Sequence, residues 1–282
     1  MEKYNTSEIP KSSRITRLVD HLYAKMPEIE SYRAKLITES YKETEDQPII
    51  TRRAKAFSHI LHNIPIIIRD EELIVGSNSI APRGCQTFPE FSFQWLEDEL
   101  DTVATRTADP FYISEQAKAD LREAHKYWKG KTTSELATAY MAPEAIRAID
   151  HNIFTPGNYF YNGVGHVTVK YWEVLEIGYE RNHEKGTRLS WLNANVGDGD
   201  YAERSVSCEA VIMSCQAVID YADRYASSAI EDGSRDVQIQ QRKAELLAIA
   251  ANCSRVPAKG SYQFLGGVSV LLVCAAASPD GV

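Results

Sequence analysis

The sequence predicts a mainly α-helical fold with a few short strands. Three observations predict it: apolar residues recur at helical spacing in three runs within residues 12–64, the same spacing returns in two long runs after residue 204, and proline and glycine cluster between such runs. With 282 residues, of which 44% are hydrophobic, the chain can bury a sizeable core. We expect a single domain over residues 1–282.

Residues 12–64 carry the clearest helical pattern. The stretch "RITRLVDHLYAKM" places five apolar residues on one face, at Ile15, Leu18, Val19, Leu22 and Met26. The stretches "RAKLITESYKET" and "ITRRAKAFSHILHNI" repeat the pattern, and Pro65 ends the third helix because proline lacks an N–H and clashes with the preceding turn. Next, "IPIIIRDEELIVGS" has two apolar β-branched runs around a charged turn, which predicts one or two short strands.

The rest of the chain predicts further helices around one loop. "PEFSFQWLEDELDTV" is expected to form one helix, Ser114 to cap another, and "TTSELATAYMAPEAIRAI" to continue the helical run. Prolines and glycines within residues 156–165 predict a loop, after which "HVTVKY" has the pattern of a strand. Two long helices are predicted in "SVSCEAVIMSCQAVIDYADRYASSAI" and "QQRKAELLAIAANCSRV".

The charge and composition of the chain argue against some classes of binding partner. A formal charge of −8, without a basic cluster beyond "TRRAK", argues against a nucleic acid or a membrane surface. The N-terminus has no apolar signal region and no apolar run is long enough to span a bilayer, so we expect a cytoplasmic protein. The cysteines show no C-x-x-C spacing and predict reduced thiols rather than disulfides or a zinc site; they are Cys85, Cys208, Cys215, Cys253 and Cys274.

Residue spacing alone establishes no chemistry. His59 and His62 are three apart on a helix, but no third metal ligand is evident, so we interpret them as solvated or core-edge histidines. The acidic run in "RDEEL" is interpreted as a charged turn, because neighbouring side chains point apart. The stretch "GVGH" lacks the lysine and the strand-to-helix context of a phosphate loop. We therefore predict neither a metal site nor a catalytic residue.

The loop "GNYFYNGVGHV" holds the candidate ligand-binding residues. Glycines before His166 would let the backbone approach a ligand closely, and an imidazole can donate a hydrogen bond to a hydroxyl group or accept one from it. Asn158 and Tyr161 are weaker candidates that could equally cap turns. A lone histidine in a strand more often has a structural role, so the residues alone leave the question open.

Several long stretches resemble a known family. "TEDQPIITRRAKAFSHILHNIPIIIRDEELIVGS", "FPEFSFQWLEDELDTVATRTADPFYISEQAK", "YWKGKTTSELATAYM" and "GNYFYNGVGHVTVKY" resemble the N-terminal region of the glycyl radical, or pyruvate formate-lyase-like, enzymes. Within that family they are most similar to cobalamin-independent glycerol and diol dehydratases, and more distantly to choline lyases. The resemblance covers about residues 15–180 and 199–260.

The resemblance implies an α/β barrel of ten strands in a complete family member. It also implies a glycyl radical near the C-terminus, installed by a radical-SAM activating enzyme, and a thiyl-forming cysteine in a Cys-x-Glu motif. This chain has neither that motif nor the Arg-Val-x-Gly-Tyr loop of the radical glycine, since Cys208 is followed at once by Glu209. We therefore expect the helical shell without the barrel core, and neither a catalytic residue nor a cofactor in this chain.

The resemblance also implies a function. In the dehydratases the histidine of the Gly-His-Val segment binds a substrate hydroxyl, and His166 matches it; choline lyases have an aspartate there, so a small neutral polyol is favoured. The implied protein is the N-terminal part of a glycerol or diol dehydratase of an anaerobic cytoplasm, inactive alone, and a homodimer is allowed. The alternatives are a shell subunit of a split enzyme, a formate acetyltransferase-like member, and a non-enzymatic helical binding module.

Two segments depart from the family pattern. Residues 181–197 are polar where the family continues an amphipathic helix, and residues 265–282 match no relative. Codons read one base later would permit "GIMKKVRDSL" and "WEACQSFWFVQLLLQME" at these places, which look like the family. We hypothesise two frameshifts, of which the first is repaired near Gly197 and the second is not and truncates the protein. We expect the helix at residues 181–197 to be lost or shortened, and the chain alone to expose apolar surface and to be poorly soluble.

Resequencing the DNA that encodes residues 178–200, and the DNA from codon 258 past the stop, tests this hypothesis. We expect single-base slips that restore both family-like segments and open a long downstream frame. A DNA sequence that stands as written would contradict the hypothesis.

Overall fold

The computed structural model describes residues 12–77, 79–155, 170–192, 201–234 and 240–261. Within these ranges the chain is mainly α-helical, with ten α-helices and one small sheet, as the sequence predicts. None of the helices in these ranges is both long and apolar enough to cross a membrane.

The three N-terminal helices form where the apolar spacing predicts them. The hydroxyl of Ser12 caps the first by accepting a hydrogen bond from the N–H of Ile15 at 3.3 Å. The third ends at Asn63, directly before the Ile64–Pro65 step. The helices are α1 (Ser13–Tyr23), α2 (Tyr32–Glu43) and α3 (Ile49–Asn63).

The strand prediction for residues 64–77 is wrong. The described part of this stretch is irregular, and the strands lie elsewhere, in a parallel sheet of order β2-β1-β3 that aligns Ile29 with both Cys85 and Ile113. Strands of two or three residues are too short to show an alternating pattern, so sequence periodicity misses them. The strands are β1 (Glu28–Glu30), β2 (Gly84–Gln86) and β3 (Tyr112–Ile113).

The middle of the chain forms shorter and more numerous helices than predicted. The helix expected in "PEFSFQWLEDELDTV" shrinks to α4 (Gln94–Glu99) and a 3₁₀ turn at Val103–Thr105. Ser114 caps the next helix as predicted, since its hydroxyl accepts from the N–H of Ala117 at 3.1 Å. Pro143 begins a new helix, because proline fits the first turn but not a helix interior. These helices are α5 (Glu115–Trp128), α6 (Thr133–Ala139) and α7 (Pro143–Asp150).

Of the two outcomes expected for the helix at residues 181–197, loss is wrong, since residues 181–192 are helical, and shortening stays a prediction. The helical stretch Tyr171–Leu192 is interrupted at Gly178, whose φ of 74° and ψ of 178° are not helical, and it resumes as far as Leu192; residues 193–197 lie outside the described ranges. Glu184, Lys185 and Leu189 are good helix formers, and Gly186 is buried next to the side chain of Ile212. The C-terminal helices are α8 (Tyr171–Leu192), α9 (Tyr201–Ser234) and α10 (Gln240–Cys253).

The largest part of the core lies where α9 packs between α3 and α10. Tyr221 and Tyr225 of α9 are almost fully buried there, with ring centroids 5.2 Å apart in an edge-on arrangement. Their neighbours in the cluster include Leu61, Ile64, Val75, Val218, Leu246 and Ile249. A second cluster joins β1 and β3 to α4 and α5.

Side chains, rather than strand pairing, hold the irregular segment after α3. Both tyrosine hydroxyls donate to the carbonyl oxygen of Ser77, Tyr221 at 2.9 Å and Tyr225 at 3.0 Å. The guanidinium of Arg69 donates to the carbonyl oxygens of residues 79, 80 and 81 at 2.9 to 3.0 Å. Arg242 of α10 donates to two further carbonyl oxygens, those of Arg69 and Glu72. The backbone polar groups that a sheet would pair are thus satisfied.

A buried carboxylate completes this arrangement. Glu30 accepts hydrogen bonds from the N–H groups of Ile80 (2.9 Å) and Ala81 (2.6 Å) and from the side-chain amide of Gln86 (2.5 Å). Burial raises the pKa of Glu30, although the hydrogen bonds from Ala81 and Ile80 oppose the shift. Its acceptor positions are occupied by structural donors, so we assign it no catalytic role.

The variant Glu30→Gln tests this assignment. Because the pKa of Glu30 is raised in the folded state, the wild type loses stability as pH rises from the unfolded value of 4.5 through the raised folded value. We expect the free energy of unfolding of the wild type, relative to the variant, to be larger at pH 4 than at pH 7 in urea titrations. A difference that is flat, or that grows toward neutral pH, would show that burial does not govern this carboxyl group.

Candidate functional site

The three predicted ligand-binding residues, Asn158, Tyr161 and His166, lie outside the described residues. The structure describes the two ends of the segment that carries them, at Thr155 and Lys170. The framework at these ends can therefore be examined, and the geometry of the three side chains stays a prediction.

The end at Thr155 follows a helix pair that buries nothing. Neither α6 nor α7 has a buried side chain. The residues between α7 and Thr155 are all exposed, with Ile153 at 75% and Phe154 at 48% of their full accessible surface. This side of the candidate site is open in the described part of the chain.

The end at Lys170 leads directly into a packed helix. The N–H of Val174 donates to the carbonyl oxygen of Lys170 at 3.2 Å, and the Val174 side chain packs on Val256 in a small separate cluster. Glu173 forms ion pairs with Lys170 and Lys185, and these lower the pKa of its carboxyl group. The start of α8 is thus attached to the segment that follows α10.

Two glycines allow that attachment. Gly178 has φ 74° and ψ 178°, a conformation that essentially only glycine adopts, and a Cβ there would lie 2.2 Å from the carbonyl oxygen of Ala258. A Cβ at Gly260 would lie 2.1 Å from the carbonyl oxygen of Glu176. Backbone hydrogen bonds cross here from Tyr179 to Pro257, from Glu180 to Ala258 and from Ser261 to Leu175, at 2.8 to 2.9 Å. We call this contact the glycine crossing.

His59 and His62 border a polar groove between α2, α3 and α9. The Nε2 atom of His59 lies 3.3 Å from Glu39 Oε2, and that of His62 lies 2.9 Å from Asp220 Oδ2. The groove has a volume of about 390 Å³. In the ranges that the structure covers, no three His, Cys, Asp or Glu side chains are close enough together to hold a metal ion. Both histidines connect helices, which fits the structural interpretation.

The two buried cysteines and the acidic turn have structural surroundings. Burial raises the pKa of Cys215 to about 11 and that of Cys253 to about 12, so both thiols are protonated at neutral pH. Cys85 and Cys208 are also free thiols, and Cys274 lies outside the described residues. In the turn, Glu71 pairs with Arg14 and Arg17 and thereby holds α1.

The framework residues that matter most are those that sequence reasoning did not single out. Tyr221, Tyr225 and Arg242 lie on helices predicted correctly, but their targets are carbonyl groups more than 100 positions away in the chain. Gly178 gives a local signal, since glycine within a helical pattern costs stability and suggests a special backbone. The spacing of residues in the sequence does not indicate that Gly178 contacts the segment around Ala258.

The sequence matches a family model described as pyruvate formate lyase-like over residues 6–277. Among curated proteins, the (2S)-3-sulfopropanediol dehydratase of Klebsiella oxytoca is 30% identical over 251 residues, which cover 86% of this chain and 30% of that protein. The chain therefore spans about a third of the length of the relatives it matches.

Two solved structures are similar over nearly the whole chain. A structure of the enzyme for 1,2-propanediol dehydration in Roseburia inulinivorans shares 57% sequence identity, with a TM-score of 0.91. The glycerol-bound B12-independent glycerol dehydratase of Clostridium butyricum shares 45%, with a TM-score of 0.90. Each covers 95% of this chain, and the chain covers 34% of each.

The variant Gly178→Ala tests the glycine crossing, with Gly130→Ala as the matched control. Gly130 has a similar φ of 78° but nothing within 4 Å of an added Cβ, so its substitution should cost only the backbone strain of about 1 to 2 kcal/mol. Gly178→Ala adds a clash with main chain, and we expect a loss larger by about 1 to 3 kcal/mol in urea unfolding. Equal losses for the two variants would contradict the crossing.

Proposed function

The chain belongs to the pyruvate formate lyase-like family of glycyl radical enzymes, and from this membership we propose that it is the N-terminal part of a dehydratase that removes water from a small polyol. The observation that carries the proposal is the similarity to two enzymes of uncharged diols and triols, at 57% and 45% identity over 95% of the chain. The sequence identity is lower, at 30%, with the curated relative whose name gives a charged sulfonate as its substrate.

We propose that His166 binds a substrate hydroxyl and that Asn158 and Tyr161 line the same pocket. Imidazole, amide and phenol groups can each donate and accept hydrogen bonds, which suits an uncharged polyol whose hydroxyl groups do both. Glycines on either side of Val164 leave room for a ligand beside the backbone. Residues that hold the departing hydroxyl in place contribute to the reaction by orientation.

We propose that the radical chemistry comes from polypeptide outside these 282 residues. The sequence has no Cys-x-Glu motif, and the two buried thiols of the described residues, Cys215 and Cys253, belong to the buried apolar core. We propose that the part corresponding to the other two-thirds of the relatives supplies the reactive cysteine and the glycyl radical. A radical-SAM activating enzyme would install that radical, in an anaerobic cytoplasm. The chain alone would then bind substrate weakly and turn over none.

A second candidate is that this chain is the shell subunit of a split enzyme, whose partner is a separate polypeptide. The exposed apolar side chains beside Thr155 are compatible with it, because a separate polypeptide can cover them as well as a continuous one. Copurification of this chain with a protein that carries Cys-x-Glu would separate it from the first candidate.

The variant His166→Ala tests the proposed substrate role. The assay joins residues 1–261 to the part of the Roseburia inulinivorans enzyme that follows the matched third, and measures dehydration of 1,2-propanediol after activation. We expect kcat/KM to fall about 100-fold, because one oriented hydrogen bond to the reacting group is lost. His151→Ala, at the exposed end of α7, is the control and should leave kcat/KM within about twofold. Similar values for both variants would refute the role of His166.

A further inference from the structure

The first helix, α1, is attached to the rest of the described structure mainly through charged side chains. None of its residues is buried. Among its apolar side chains, Leu18 and Val19 are partly covered, whereas Ile15 is 45% exposed and Leu22 is 38% exposed. An isolated helix of eleven residues is marginal in water, so α1 depends on its attachment to stay helical.

Two arginines of α1 make this attachment. The guanidinium of Arg14 forms a bidentate ion pair with Glu245 of α10 and donates to the carbonyl oxygen of Glu71 at 3.0 Å. The Nε atom of Arg17 donates to the Glu71 carboxylate at 2.8 Å. The Arg14 side chain is 21% exposed and that of Arg17 is 55% exposed. Because water screens an exposed pair more strongly, Arg14 should contribute more than Arg17 to the attachment.

The surface that receives α1 keeps its own partners when the helix leaves. Glu245 Oε2 also lies 3.4 Å from Arg242, and Glu245 Oε1 accepts from the side-chain amide of Gln241 at 3.0 Å. Arg242 is fixed in turn by two backbone carbonyl oxygens of the irregular segment after α3. The Glu71 side chain is already 30% exposed to water. Release of α1 therefore leaves neither carboxylate as an unpaired buried charge.

A short connection allows α1 to move without the sheet. Residues 24–27 form neither helix nor strand. The chain is fixed again at Pro27, whose carbonyl oxygen accepts from the N–H of Tyr112 at 2.8 Å, and at Glu28, whose N–H donates to Arg83 at 3.0 Å. The remaining contact near this end is a guanidinium of Arg83 that lies 5.2 Å from the ring centroid of the exposed Tyr23. Motion of α1 can thus end before β1.

We propose that α1 is a detachable helix, which high ionic strength releases by weakening the ion pairs of Arg14 and Arg17 while the other described helices stay folded. Salt screens charges and leaves apolar contacts in place. Helices such as α5 therefore resist it, since α5 buries four side chains, Leu121 among them. The release is a local opening of one segment within a stable region, and it is independent of the proposed function.

Hydrogen–deuterium exchange of the 282-residue chain, measured by mass spectrometry of its peptides, tests the proposal. From about 0.05 M to about 1 M NaCl we expect exchange in α1 to speed up at least about threefold, because the screening length falls to about 3 Å. Exchange in α9 should change less than about twofold. At low salt, Arg14→Gln should speed exchange in α1 at least about tenfold, and Arg17→Gln only about two- to threefold. Glutamine and arginine have similar helix propensities, so propensity does not cause the change.

Arg122→Gln is the matched control. Arg122 also pairs with two carboxylates, those of Glu97 and Asp101, but its helix α5 has buried apolar side chains. Exchange in α5 should therefore change less than about twofold. The proposal is overturned if Arg14→Gln leaves α1 as protected as in the wild type, or if Arg122→Gln opens α5 as strongly. It is also overturned if salt opens α9 together with α1, or if α1 exchanges like an unfolded peptide already at low salt.

Discussion

The structure depends on one constraint: the irregular chain after α3 has polar backbone groups that no sheet pairs. Arg69, Arg242 and the two buried tyrosines of α9 satisfy its carbonyl groups, and Glu30 satisfies two of its N–H groups. These bonds connect the small sheet, the irregular segment and the helix core into one unit. Removal of the Arg69 guanidinium would leave the part-buried carbonyl group of Ile80 without its donor, which costs about 1 to 3 kcal/mol.

Several described histidine, acidic and cysteine side chains, which are common catalytic types, have structural roles in this fold. His62 pairs with Asp220, Glu71 holds α1, and the buried thiols of Cys215 and Cys253 are protonated. The polar residues of the described region thus serve mainly folding, and the proposed function concentrates the substrate contacts in the loop that carries His166. This division fits the general pattern in which rigid elements position functional loops.

The sequence predicted the long helices well, because apolar spacing over eleven or more residues is a strong signal, as in α1, α5 and α9. It failed for the three strands, which are too short to show a period, and for residues 181–192, where good helix formers and the contact of Gly186 with Ile212 accompany a helix that was expected to be lost or shortened. The candidate ligand residues came from the family resemblance. Physical reasoning on His166 alone favoured a structural role, since a loop residue's target lies elsewhere in the fold.

The glycine crossing also constrains how this region can evolve. A side chain at Gly178 would meet the carbonyl oxygen of Ala258, and one at Gly260 would meet that of Glu176, so each obstacle is main chain rather than a side chain. No substitution elsewhere can remove a carbonyl group. A larger residue at either position therefore has no compensating partner, and the two glycines are expected to stay fixed independently rather than to covary.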